Sequence, residues 1–434
     1  MARPAAGAGR QAQVAGLLVS ALAFGCANQG APPGGPPRTT PAVILRTTPE
    51  SGAVVPDFHG NGVIQFDEVI DEAPGSLGGR SGGAITGLAQ KIVLSPVAGD
   101  VKVSWHRSAI HVKPEEGWKP NRVYHLEVLP GIADLRRNVT KTGSKIVFST
   151  GGAIPGAALG GTALLWVEQR LLTPAVIRAA PLPDTAAYIT LTDSAGNFRL
   201  QEIPPGRYRV WAIQDQNNNR RQDRREPFDT VTVTVDSTAS VVLWAFVHDT
   251  VGPRIRTIES VDSVTVRITF SQTLDPARAP DTAAVHVFAL PDTTPVGVRV
   301  LYRPAQFDSI QARARAVADS LKRLQDTTAR RDTSRVRPAP PPAAGQRAPA
   351  GRAPRDTAAA RVDTARIRKL LAQRLVPYDR LVVQTARPLT PGAKYLVRVR
   401  GAINLSGVAA DGVGVVEIPV PKPAPRDTTR AKTP

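Results

Sequence analysis

An all-β protein made of tandem sandwich domains is the fold class this chain predicts, and three observations predict it. Apolar residues fall in short alternating runs rather than at helical spacing. Proline and glycine, 40 and 36 of 434 residues, stand between those runs. Part of the pattern returns near the far end of the chain at matching spacing. Proline removes a ladder donor and glycine opens turn conformations, so their density divides a chain into short strands joined by turns. The length corresponds to about three domains of roughly 100–150 residues.

Residues 1–26 stand apart from this pattern. Arg3 and Arg10 precede an uncharged stretch from Val14 to Phe24, which closes on Ala23-Phe24-Gly25-Cys26. A charged start, a short apolar run and small residues describe a secretory signal; a spanning helix needs about 20 apolar residues. Cys26 is the only cysteine, so it has no partner within the chain for a disulfide. The segment resembles a bacterial lipoprotein signal, with Ala23 standing where such signals usually carry Leu. That resemblance implies lipidation at Cys26, the first residue of the mature chain, and a lipid-anchored place in the cell envelope. Ala27, rather than Asp, after the cysteine implies the outer membrane, on its periplasmic or surface face. Residues 27–40, rich in Pro and Gly, read as a tether.

From 41 to 151 the alternating runs are Val43-Ile44-Leu45, Val63 to Phe66, Val101-Lys102-Val103, Ile110-His111-Val112, Tyr124 to Val128 and Ile146-Val147-Phe148. Strands this short and this closely spaced predict a β-sandwich. In residues 249–420 the pattern returns. Pro120, Tyr124, Val128 and Ile132 are matched in spacing by Pro391, Tyr395, Val399 and Ile403, and Ile110 and Val112 by Leu381 and Val383. Phe66 matches Phe270, yet 44 residues separate Phe66 from Ile110 while 111 separate Phe270 from Leu381. The second copy therefore carries an insertion at about 304–377. Its centre is an Ala/Pro/Arg/Gly tract unable to bury a core, while Ile310 to Leu324 and Ala365 to Val376 are proline-free and suited to helices.

Between the copies, residues 152–248 hold six strand candidates: Thr162 to Val167, Ala187 to Leu191, Asn197 to Leu200, Arg207 to Ile213, Thr230 to Val235 and Ser240 to Phe246. Turn residues separate them at Asp193 to Asn197 and at Pro204-Pro205-Gly206, which predicts a smaller sandwich. Residues 421–434 read as a disordered tail.

The outer units resemble the bacterial Ig-like domain of S-layer and other surface proteins. The elements that carry this are Pro49-Glu50-Ser51-Gly52, Ile64-Gln65-Phe66, Trp118-Lys119-Pro120 before Tyr124, Ile132-Ala133-Asp134 and Phe148-Ser149-Thr150; in the second copy, Ile268-Thr269-Phe270, Pro388 to Gly392 and Tyr395. The middle unit resembles the carboxypeptidase-regulatory, or collagen-adhesin B-type, sandwich through Asp193 to Leu200 followed by Ile203 to Tyr208. Both resemblances imply scaffold, stalk or adhesion modules without catalysis of their own.

One loop has the chemistry of a site. In Asp215 to Glu226, Asp215, Asn217, Asn219, the Arg221 carbonyl, Asp223 and Glu226 place oxygens at the spacing that wraps Ca²⁺ in EF-hand-type loops. Arg220 occupies the position where Gly usually makes the turn, and the loop's four arginines oppose a dication. The expectation is weak, structural calcium; the alternative is a polar hairpin whose Asn side chains make turns. For catalysis the sequence offers little: the six histidines lack zinc-ligand spacing and no serine has an evident base.

The formal net charge is +19, and Arg303 to Arg374 alone holds 17 Lys or Arg against 6 Asp. Charge gathered in a tract poor in aromatics predicts a solvated extension rather than a nucleic-acid groove. Specific nucleic-acid binding is not expected; the partners foreseen are the membrane through the lipid, envelope proteins and anionic glycans. The chain thus reads as a non-catalytic, lipid-anchored envelope protein with a structural or adhesive role. The alternatives are a carbohydrate- or protein-recognition module, or an accessory subunit of an envelope enzyme or transport system.

Overall fold

A computed structural model describes residues 39–71, 80–81, 84–329 and 357–420. Cys26, most of the tether, the centre of the insertion and the tail lie outside them. The fold is nearly all β, its strand pairs antiparallel except for one parallel pair in the middle unit, with two α-helices among the described residues, Pro304–Ala329 and Thr357–Leu371. No described helix is long and apolar enough to cross a membrane.

The first unit stacks two sheets. One runs Ile44–Thr48, Gly62–Phe66, Ala109–Pro114, Val101–His106; the other runs Ile92–Ser95, Val123–Val128, Ser144–Ser149. Alternation sends Ile64, Phe66, Ile110, Val112, Tyr124, Leu126 and Phe148 into one core between the sheets. A sandwich of the same design closes the described chain. Its sheets run Ile255–Asp262, Thr265–Leu274, Tyr378–Thr385, Val298–Tyr302 and Thr294–Val296, Val285–Ala289, Lys394–Ile403, Ala409–Glu417.

The repeat read from spacing reappears as shared register. Ile64 pairs with Ile110 as Ile268 pairs with Leu381, and Phe66 pairs with Ile44 as Phe270 pairs with Ile255. The hydroxyl of Tyr124 accepts from the Lys119 amide at 2.8 Å, and that of Tyr395 from the Thr390 amide at 2.8 Å. The last step of the match needs correction. Ile132 is buried, but Ile403 is only half-buried and the buried position is Ala402. The step from Val399 to Ala402 is one residue shorter than that from Val128 to Ile132, so Asp134 corresponds to Asn404. Both bridge the edge of the partner sheet, at Ile70 and Leu274, and both accept a backbone amide four residues on.

The middle unit pairs Ala157–Leu165 with Arg170–Leu171 and Asn197–Ile203, and with Thr238–Ala245 in parallel; opposite lies Tyr188–Leu191, Val176–Pro181, Gly206–Ile213, Phe228–Val235. Asp193 makes the predicted turn by accepting from the amides of Ala195 and Asn197, with Gly196 at φ 69°. Tyr208 donates to the Pro204 carbonyl at 2.6 Å and pins the second turn.

The insertion leaves Val298–Tyr302 and returns to its antiparallel neighbour Tyr378–Thr385, so the sandwich is not broken by it. Its return leg docks on the middle unit. The Arg374 guanidinium lies over the rings of Trp166 and Trp244, at 4.9 and 5.4 Å, and Trp166 Nε1 donates to the Leu375 carbonyl at 3.1 Å. A cation held between two indoles ties one end of the insertion to a unit far from it in sequence.

Candidate functional site

The loop Asp215 to Glu226 joins Gly206–Ile213 to its neighbour Phe228–Val235, and its side chains knot it into one turn. Asp215 accepts from the amides of Asn219 and Arg220, at 3.1 and 2.8 Å. Asn217 Oδ1 accepts from Asn219 N, and Asn219 Oδ1 from Arg221 N. The two Asn amides both donate to Asp223 Oδ2, at 2.6 and 2.8 Å. Glu226, 4% exposed, closes the loop by accepting from Gln216 N at 2.8 Å and Asp223 N at 3.3 Å.

All six residues expected to serve calcium thus lie on one hydrogen-bonded turn. The donor set is hard oxygen, which suits a hard cation. The acidic side chains do not form a group of three able to hold a metal among the described residues, and the Asn amides turn N–H groups toward Asp223. A cation here would require both amides to rotate and present oxygen.

Arg220 takes a φ of 54°, the left-handed conformation for which Gly is usual, at a cost of about 1–2 kcal/mol. Its guanidinium explains why arginine stands there. It reaches out of the loop and donates to the Ile92 and Gln90 carbonyls of the first unit, each at 2.6 Å. Burial lowers its pKa to about 10, so it remains a cation at neutral pH. Arg221 pairs with Asp100 at 2.7 Å, and Arg224 donates to Thr250 at 3.3 Å. Three of the four arginines that stood against a dication therefore have partners beyond the loop.

Around Arg220 the first and middle units are sewn together. Arg122 pairs with Asp184 at 2.7 Å, and the Ile85 amide donates to the Asn218 carbonyl. Val93 packs with Val176, Ile189 and Ile213 in an apolar cluster that spans the joint. His125 is fully buried there, its ring centroid 4.9 Å from that of Tyr188 and its Nε2 3.3 Å from the Glu202 carbonyl. Burial above all, and then the Lys145 charge, lowers its pKa to about 3. His248, at the next joint, is stacked between Phe228 and Phe246 at 3.9 and 4.1 Å.

Beside the loop the joint forms a half-open cavity of about 380 Å³, lined by Asn219, Arg220 and Arg221 and also by Arg178. Arg178 escaped the sequence reading because its strand, Val176–Pro181, is buried on both faces and shows no alternation. The signal available was an arginine set inside an apolar run, Val176-Ile177-Arg178-Ala179-Ala180.

Residues 38–150 match the family model for the bacterial Ig-like domain. No curated protein matches the chain. Among solved structures, the chain is similar to BcpA, the major pilin subunit of Bacillus cereus, with 10% identity over 45% of this chain and 67% of that one, at a TM-score of 0.17. The Bacillus anthracis TIE protein gives 12% identity over 67% of this chain and 52% of its own, about half its length, at a TM-score of 0.16. Domains MG0-NIE-MG1 of native alpha-2-macroglobulin from Escherichia coli give 12% identity over 58% of this chain and 84% of that one, at a TM-score of 0.18. With TM-scores this low, what those proteins build or bind says nothing of this chain. The Ig-like domain itself is compatible with a non-catalytic structural or adhesive role.

Proposed function

We propose that this chain is a non-catalytic envelope protein, held at the outer membrane by a lipid on Cys26, whose work is structural or adhesive. The observation that supports a structural role is where the charged side chains of the joints go. Arg220 and Arg122 join the first unit to the middle one, and Arg374 joins the insertion to the middle one. Groups engaged in holding units in register give a spacer that keeps its geometry when pulled or crowded. The middle unit would be of the collagen-adhesin B type, and the closing unit a second Ig-like domain. In this reading Asp215, Asn217, Asn219, the Arg221 carbonyl, Asp223 and Glu226 hold a weakly bound, structural Ca²⁺ that stiffens the same joint.

The anchor is tested by fractionating cells that produce the wild-type chain or Cys26→Ser. Wild type is expected in the membrane pellet, with an acylated N-terminal peptide by mass spectrometry, and Cys26→Ser in the soluble fraction. An unmodified Cys26 in the mature chain, or equal partition of the two proteins, overturns the anchor.

A further inference from the structure

The cavity at the first joint contains a charge that no partner among the described residues answers. Arg178 lies on Val176–Pro181, flanked by Tyr188–Leu191 and Gly206–Ile213, opposite Ile189 and Trp211. The alternate residues Ile177 and Ala179 enter the core of the middle unit, so Arg178 projects from the other face, toward the first unit. Its Nε is buried and has no hydrogen-bond partner. The charge that bears on it is that of Arg221, of like sign.

Elsewhere around the cavity the charges are answered. Arg221 is paired with Asp100, Lys102 with Glu115 at 3.7 Å, and Arg220 sits on carbonyls in the field of Asp215 and Glu127. Arg178 alone among these cations has no partner within the described residues. Arg178 is half-buried; holding its Nε away from water without a partner is costly, and an anion entering the cavity relieves that cost. The rest of the wall is apolar: Val93, Val97, Val101, Val103 and Ile189. At about 380 Å³ the space falls in the range of small-molecule sites, which combine an apolar lining with a few oriented polar groups.

We infer that this cavity binds a small amphipathic anion, its single negatively charged headgroup on Arg178 and its apolar body against the valines and Ile189. Both units supply walls, so an occupant bridges them and stabilises the joint by mass action. The inference is independent of the anchor and of calcium.

The probe is anilinonaphthalene sulfonate, whose fluorescence rises in apolar surroundings, set against phenylnaphthylamine, the same ring system without the sulfonate. Both are titrated into the full chain and its variants. A charge-assisted contact predicts that Arg178→Gln weakens the sulfonate about tenfold or more, that Arg178→Lys recovers most of the loss, and that the neutral compound binds wild type and Arg178→Gln alike. Ala98→Trp replaces an exposed alanine at the cavity and keeps every charge; it is expected to exclude both compounds. Equal sulfonate affinity in wild type and Arg178→Gln, or undiminished binding of both compounds to Ala98→Trp, overturns the inference. The Ala98 variant decides the matter if Arg178→Gln does not fold.

Discussion

Tyr124 and Tyr395 each hold a loop to a core with one hydroxyl. Each ring is buried, 1% and 4% exposed, and each oxygen accepts the amide five residues earlier. Phenylalanine would keep the ring and orphan that amide. Tyr124→Phe is therefore expected to cost about 1–3 kcal/mol, while Tyr124→Ala, which also empties the space, costs about 3–5 kcal/mol. The local measurement is hydrogen exchange at Lys119, which should lose protection in Tyr124→Phe while Thr390 keeps its own; unchanged exchange at Lys119 rejects the assignment. The pair was legible in sequence because a proline and a tyrosine at fixed spacing survive in both copies. The slip that follows was not. Spacing alone cannot show that the second copy drops a residue, and Ile403 occupied the expected place although Ala402 faces the core.

Elements were legible in proportion to how differently their two faces are solvated. Gly62–Phe66 and Asn197–Ile203 alternate strongly and were read directly. Ile92–Ser95 and Val176–Pro181 were missed, and both are covered on both faces because the units pack on one another there. Period-two contrast vanishes when water is excluded from both sides. The loop between Gly206–Ile213 and Phe228–Val235 is the reverse case: its residues were legible from their spacing, but the errand of Arg220 was not, since its partners are carbonyls of a distant strand and turn. Two of the expected donors point amide N–H groups at Asp223, so any calcium must displace existing hydrogen bonds and its affinity must be low. Calorimetric titration of the full chain is expected to show saturable heat with a dissociation constant of about 10⁻⁴–10⁻³ M. Asp223→Asn should abolish it. A wild-type chain without heat at millimolar Ca²⁺ leaves the loop a polar hairpin.

At the scale of the molecule the first joint behaves as a second core, and its most exacting member is His125. Burial lowers the pKa of His125 to about 3, whereas in an open or unfolded chain it returns to about 6.5. Above pH 6.5 the ring is neutral in both states and contributes no pH dependence. As pH falls below that value, the open state takes up a proton that the closed state refuses. Stability is then lost at up to about 1.4 kcal/mol per pH unit until the closed-state value near 3 is reached. The Lys145 charge adds to the depression. Glu127 has its pKa raised by burial, so the closed joint binds its proton more readily than the open one, a contribution of the opposite sign. Removing the imidazole separates the two, and the His125 contribution is expected to open the joint before the sandwiches unfold. Hydrogen exchange in Tyr188–Leu191, followed from about pH 7 to 5 and corrected for intrinsic rates, is expected to lose protection in the wild-type chain. In His125→Gln, where an amide can still donate to the Glu202 carbonyl but cannot titrate, that loss should be much smaller. An equal loss in both chains would assign the acid sensitivity to other groups and leave His125 a packing residue only.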